Sequence, residues 1–146
     1  MLWVALELPA LPLQLVERAR DDASPLAITD GPAQRPVTCC VSAMARQAGV
    51  REGMSAAAAQ ALAAGLRCIP RDEAAEREAL ERLAGWATQF TPAVSIEPSG
   101  IVLEVASSLK LFGGLAKLLS LLRQGVRSLG FEATVGIAPT PLAARV

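Results

Sequence analysis

An α/β (α+β) architecture, a mixed sheet covered mainly on one face by helices, is what the sequence predicts. Three observations carry it. Short runs of β-branched and apolar residues alternate with stretches at helical spacing. One pair of such runs is joined by a tight-turn tripeptide. The composition, 52% hydrophobic with 3% aromatic residues and neither tyrosine nor histidine, suits helices packed on a sheet through small side chains. At 146 residues the chain has the length of one domain with room for a small insertion.

Residues 2–8 are an almost unbroken apolar run, a central strand that Pro9 and Pro12 stop from continuing. Residues 13–20 read as a short helix, with Leu13 and Val16 inward and Glu17, Arg18 and Arg20 outward, ended by Asp21-Asp22 and Ser24-Pro25. Residues 25–29 and 36–41 are two strands joined through Asp30-Gly31-Pro32. Ser42 caps a helix closed by Gly49, and Ser55 caps a second one, AAAAQALAA, closed by Gly65. An edge strand at 66–69 precedes Pro70. Asp72 then caps a long helix with Leu80, Leu83, Ala87 and Phe90 inward and Glu76, Arg77, Glu81 and Arg82 toward water.

Residues 93–114, AVSIEPSGIVLEVASSLKLFGG, hold the feature around which the rest is arranged. The runs Val94-Ser95-Ile96 and 101–105 flank Pro98-Ser99-Gly100, where Pro presets φ and Gly accepts a positive φ, so a hairpin is predicted. Residues 115–129 form the clearest amphipathic helix, with Leu115, Leu118, Leu119, Leu122, Val126 and Leu129 on one side and Lys117, Arg123, Gln124 and Arg127 on the other. A strand at 132–137 follows. Thr140-Pro141 then opens a helix barely a turn before Val146, which reads as the cut end of a longer protein.

Lys+Arg 14 against Asp+Glu 14 gives no general attraction to a phosphate backbone. The odd number of cysteines, with Cys39 and Cys40 adjacent, makes no disulfide framework, and without histidine there is no zinc set. Both cysteines read as small buried hydrophobes in a protein of the reducing cytosol. The apolar N-terminus lacks a basic region, carries Glu7 and is interrupted by prolines, so no membrane segment is expected. Tight bends in phosphoryl-transfer enzymes often carry carboxylates, because two divalent ions need several acidic oxygens. Here the bend offers Ser99 and Gly100.

Five stretches in order, LWVALELP, AMARQAGVREGMSAAAAQAL, LRCIPRD, IVLEVASSLKLFGG and TVGIAPTPLAA, make the chain resemble the N-terminal part of a Y-family (UmuC/DinB-like) translesion DNA polymerase. SLKLFGG after the hairpin favours the ImuB-like, non-catalytic branch. The resemblance implies a palm at 1–10 and 70–146, small fingers at 11–69, and further domains beyond Val146. Catalytic members hold two metal ions with an aspartate on the first strand and an Asp-Glu pair at the hairpin. Those places fall on Ala5, Ser99 and Gly100. The bulky residue that screens the sugar falls on Ala10, and the aromatic residue beside the triphosphate falls on Ala43. Arg46 is left as a nucleotide-binding candidate, a single guanidinium against about four negative charges. Glu7 and Glu104, on strands expected to be neighbours, are the remaining metal candidates. Their ordinary roles would be a sheet edge for Glu7 and a solvated strand face for Glu104, just as Arg46, Lys117, Arg123 and Arg127 would ordinarily be solvated helix-surface residues.

The function implied is that of a catalytically inactive adaptor, without a cofactor, in DNA-damage-induced (SOS) translesion synthesis and mutagenesis in the bacterial cytoplasm. The implied partners of the full-length protein are the sliding clamp, a RecA-like ImuA-type protein and a second replicative-type DNA polymerase. DNA is an open contact and no membrane is involved. Two other readings stay open: an active Y-family polymerase with acids displaced in register, for which only Glu97 and Glu104 are available, and an α/β interaction domain without nucleic-acid contact.

Overall fold

Along β1 (Trp3–Glu7) the side chains of Val4 and Leu6 alternate with those of Trp3, Ala5 and Glu7, and that alternation sorts the two faces of the larger sheet. The computed structural model describes residues 1–145. β1 is a central strand in the order β5-β6-β1-β7, with β5 (Val94–Glu97), β6 (Gly100–Glu104) and β7 (Thr134–Ala138). Every pairing in this sheet is antiparallel. On the Leu6 side, α6 (Leu115–Ser128) turns Val126 toward a pocket that Leu6 also lines, and buries Leu118, Leu119 and Leu122. On the other side Ala5 and Val102 pack with Ala144 of α7 (Pro141–Ala144), flanked by Trp3 and Ala138.

These strands belong to a unit made of Met1–Leu11 and the chain from Ala75 onward; Pro12–Ala74 form a second unit. In the second, β2 (Leu26–Asp30) lies between β3 (Val37–Val41), antiparallel, and β4 (Arg67–Pro70), parallel. Both faces of this small sheet are covered. Ala27 and Val41 pack with Ala45 of α2 (Ala43–Gln47) and Ala59 of α3 (Ala56–Leu62), while Ile28 and Cys40 pack with Leu13 of α1 (Leu11–Glu17). A strand clad on both sides reads as a continuous apolar run, and β2 is buried along its first four residues.

The α+β class holds, but the mixed pairing belongs to the small sheet and the larger one is wholly antiparallel. The first helix starts at Leu11 rather than at residue 13, because Pro12 fits a first turn, where its missing N–H costs nothing. On α4 (Glu73–Ala87), Glu76 is buried rather than wet. It stands four residues before Leu80, on the stripe that continues through Leu83 and Ala87, so helical spacing carries it inward. Between the hairpin and α6 the chain makes a short 3-10 turn (Ala106–Ser108) and α5 (Leu109–Phe112), ended by Gly113 in the left-handed conformation. Among the described residues no helix is long and apolar enough to cross a membrane.

Candidate functional site

The hairpin pairs Glu97 with Gly100, leaving Pro98 and Ser99 as its loop. In the neighbouring ladder Gly100 also faces Glu7, and the Leu8 N–H donates to the Ser99 carbonyl at 2.7 Å. The bend is therefore held against the end of the opening strand. Gly100 is not there for a positive φ, as its turn position suggested. A Cβ on it would overlap the Leu6 carbonyl oxygen and stand 3.0 Å from the Glu7 Cα, so with this backbone no side chain, acidic or otherwise, fits.

Ala5 is fully buried, opposite Val102 on one neighbour and Gly136 on the other, and Ala144 closes over it. A Cβ on Gly136 would overlap the Ala144 carbonyl oxygen, so the glycine is what lets α7 settle on the sheet. Thr140 Oγ1 accepts a hydrogen bond from the Ala143 N–H at 3.3 Å and Pro141 follows it, which fixes where this short helix starts. Its end then presents Arg145 to the acidic residues beside the bend.

There the guanidinium joins two strands. Arg145 Nε donates to Glu7 Oε1 at 2.9 Å and Nη1 to Glu97 Oε2 at 3.1 Å, while Ser99 Oγ donates to Glu7 Oε2 at 2.6 Å. The side chains of Glu7, Glu97 and Arg145 are 18%, 28% and 29% exposed, which makes these charge-assisted bonds less screened than those of a surface pair. The hydrogen bond it donates to Glu7 raises the pKa of Arg145 further above its ordinary high value.

Glu104 is elsewhere. It faces Trp3, at the other end of the ladder from Glu7, so the two candidate metal carboxylates, on strands that are neighbours as expected, are separated by four strand positions, roughly 13 Å. Glu104 Oε1 accepts from the N–H groups of Ala106 at 3.0 Å and Leu2 at 3.1 Å, which hold its pKa below the usual carboxylate range. Register separates them: β1 and β6 are neighbours, but the two acids are not paired across them.

The donor set does not fit a two-metal centre. Ala5 and Gly100 offer no side-chain oxygen, both oxygens of Glu7 are engaged, and among the described residues no group of three His, Cys, Asp or Glu could hold a metal ion.

At the candidate nucleotide-binding position, Arg46 is exposed at the end of α2 and forms an ion pair with Glu52. Glu52's own backbone N–H and this guanidinium hold the Glu52 carboxyl below its ordinary range. Ala43 is exposed at the start of α2 and lines a pocket of about 300 Å³ with Arg20, Asp22 and Ser42. Ala10 lies in the turn after β1. Arg123 and Arg127 share a pocket of about 280 Å³ with Leu6, Val126 and Phe131, and Lys117 is not part of it. Cys40 is buried, and burial pushes its thiol up to about 11.

Arg145 escapes a search for acids. The signal that points to it is a basic residue five positions after the Thr140 cap, at the end of a helix that follows a strand paired with β1.

Residues 13–146 match the model of the impB/mucB/samB family. The chain is similar to "Protein ImuB" of Caulobacter vibrioides, in strain NA1000 / CB15N and in strain ATCC 19089 / CIP 103742 / CB 15. Each is 38% identical over 97 residues, which cover 66% of this chain and 21% of the relative. Among solved structures, DinB from Sulfolobus solfataricus matches with a TM-score of 0.80 at 17% identity, and the post-insertion binary complex of Dbh DNA polymerase with 0.84 at 18%. Each match covers 99% of this chain and 44% of the other. At such identities the likeness is one of fold.

Proposed function

The chain belongs to the impB/mucB/samB family, and from that premise we propose that it is a polymerase-like module without nucleotidyl-transfer chemistry of its own, serving as an adaptor in DNA-damage-induced translesion synthesis. On this reading the unit built on the four-stranded sheet is the palm and Pro12–Ala74 are the fingers. The observation that carries the proposal is the setting of Ala5, Ser99 and Gly100: an apolar buried side chain, a hydroxyl bonded to Glu7, and a glycine with no room for a Cβ. In-line phosphoryl transfer needs cations to neutralise charge on the attacking and leaving oxygens, and the two acids beside this bend, Glu7 and Glu97, are already paired with Arg145.

The chain spans about a fifth of the length of the curated relatives it matches, 21%. The partners proposed for the whole protein are therefore the sliding clamp, a RecA-like ImuA-type protein and a second, replicative-type polymerase that performs the synthesis, acting at DNA in the bacterial cytoplasm. Arg46 is at most an auxiliary phosphate contact, since Glu52 already occupies its guanidinium.

A second reading, an active polymerase with displaced acids, draws on the nearness of Glu97 to Glu7, but both engage Arg145. Primer extension by the full-length protein with Mg²⁺ or Mn²⁺ separates the two. No incorporation is expected; robust extension that Glu7→Gln or Glu104→Gln abolishes would refute the adaptor proposal.

A further inference from the structure

We infer that Arg145 is the resident cation of the acidic cluster beside the bend: its guanidinium stands between Glu7 and Glu97 in place of divalent ions, so the cluster excludes them. The inference rests on the reading of this surface as a silent palm, and deepens it by saying what replaced the metals.

Charge comes first. Glu7 and Glu97 would bring two like charges together at the end of the hairpin, on β1 and β5, the strands either side of β6, and partly out of water. A counter-charge is needed, and in a two-metal palm divalent ions supply it. Here one guanidinium supplies half of it, and its planar fork reaches a carboxylate oxygen from each strand, as a point-like ammonium could not do with the same geometry. Adding two divalent ions beside it would place far more positive charge than two carboxylates can balance, so an ion can enter only if Arg145 leaves.

Position comes second. Arg145 does not hang on a loose tail: it follows α7, which is pressed onto β7 at Gly136, where only a hydrogen fits. Ala144, the residue before it, is 2% exposed over Ala5 and Val102. The same short helix thus covers the place of the missing first carboxylate and delivers the cation that replaces the metals. Ser99 Oγ completes the arrangement by occupying the second oxygen of Glu7. All four side chains lie in one compact unit.

An ordinary salt bridge would share the geometry but make no statement about metals, so the test uses Mn²⁺ alone as the probe, on the full chain, with electron paramagnetic resonance of the free ion and thermal melting as readouts. Wild type should leave about 1 mM Mn²⁺ unbound and melt at the same temperature with and without it. Arg145→Gln should melt roughly 3 °C lower or more, take up Mn²⁺ and recover part of the loss when the ion is added. Glu7→Gln combined with Arg145→Gln should lose that uptake and melt no lower than the worse single variant. Arg145→Lys, which keeps the charge, should fold and take up no Mn²⁺; it carries the test if Arg145→Gln does not fold.

Uptake of Mn²⁺ by wild type or by Arg145→Lys, indifference of a folded Arg145→Gln to Mn²⁺, or strictly additive destabilisation would each overturn the inference. Primer extension on the same wild-type preparation keeps the two proposals apart. Mn²⁺ uptake without incorporation sinks this inference alone, whereas incorporation sinks the silent-palm reading as well.

Discussion

Gly100 illustrates how one missing side chain constrains a site. Its φ is unexceptional, and its requirement is steric: a Cβ would overlap the Leu6 carbonyl. Gly100→Ala should therefore cost about 2–4 kcal/mol, because backbone rather than a flexible side chain must move. Gly85, inside α4 with nothing within 4 Å of its would-be Cβ, provides the contrast: Gly85→Ala should gain about 0.5–1 kcal/mol from helix propensity. Urea unfolding of the two variants checks the pair, and equal effects would contradict the packing argument. Ala5→Asp extends the same logic to the position of the first carboxylate. It would bury a charge against Val102 and Ala144, so a loss of about 3–5 kcal/mol is expected, without any gain in primer extension.

At the scale of elements, two serine caps that look alike in sequence differ in what they hold. Ser55 Oγ accepts from the Ala58 N–H at 3.1 Å at an exposed helix start. Ser42 Oγ accepts from the Ala45 N–H at 3.2 Å and also from the Leu26 N–H at 3.0 Å, and it is buried, so it ties the start of β2 to the start of α2. Ser55→Ala should cost about 1 kcal/mol, and Ser42→Ala about 2–3 kcal/mol because two buried donors lose their acceptor. Chemical denaturation at neutral pH measures both; a smaller loss for Ser42→Ala than for Ser55→Ala would refute the account. Both caps were legible from Ser followed by an alanine-rich run, but the second bond of Ser42 was not, since Leu26 lies 16 residues away. Glu76 is the opposite case: its charge argues for water, while its spacing from Leu80 puts it on the buried stripe.

For the whole molecule, the titrating groups predict the shape of the stability profile. Asp22, with hydrogen bonds from Arg20 and Ser24, Glu52, beside its own N–H and Arg46, and Glu104, at the Ala106 and Leu2 N–H groups, all have pKa values held below the ordinary range. Carboxylates depressed in the folded state contribute stability that is present above their unfolded pKa, about 4, and lost as pH falls through the folded values. The chain has no histidine, so no side chain of ordinary pKa titrates between about pH 5 and 7. Urea midpoints should be level across that window and fall below about pH 4. A clear slope between pH 5 and 7 would show that some other group titrates on unfolding.

Much of this protein was determined by local sequence alone: the hairpin at residues 94–104, the two serine caps, the stripe of α6 and the family resemblance all rest on neighbours within a few positions, where propensity, periodicity and turn chemistry act. So did the absence of aspartate or glutamate at residues 5, 99 and 100. Tertiary structure decided which residues share a sheet and which charges meet. It assigned the mixed pairing to the smaller sheet, put Glu104 at the far end of the ladder from Glu7, and brought Arg145 across 138 residues to Glu7 and across 48 to Glu97. Charge pairing acts over a few ångströms with no regard for position along the chain, so only once strand register was settled could the cation of this cluster be recognised as a side chain of the protein itself.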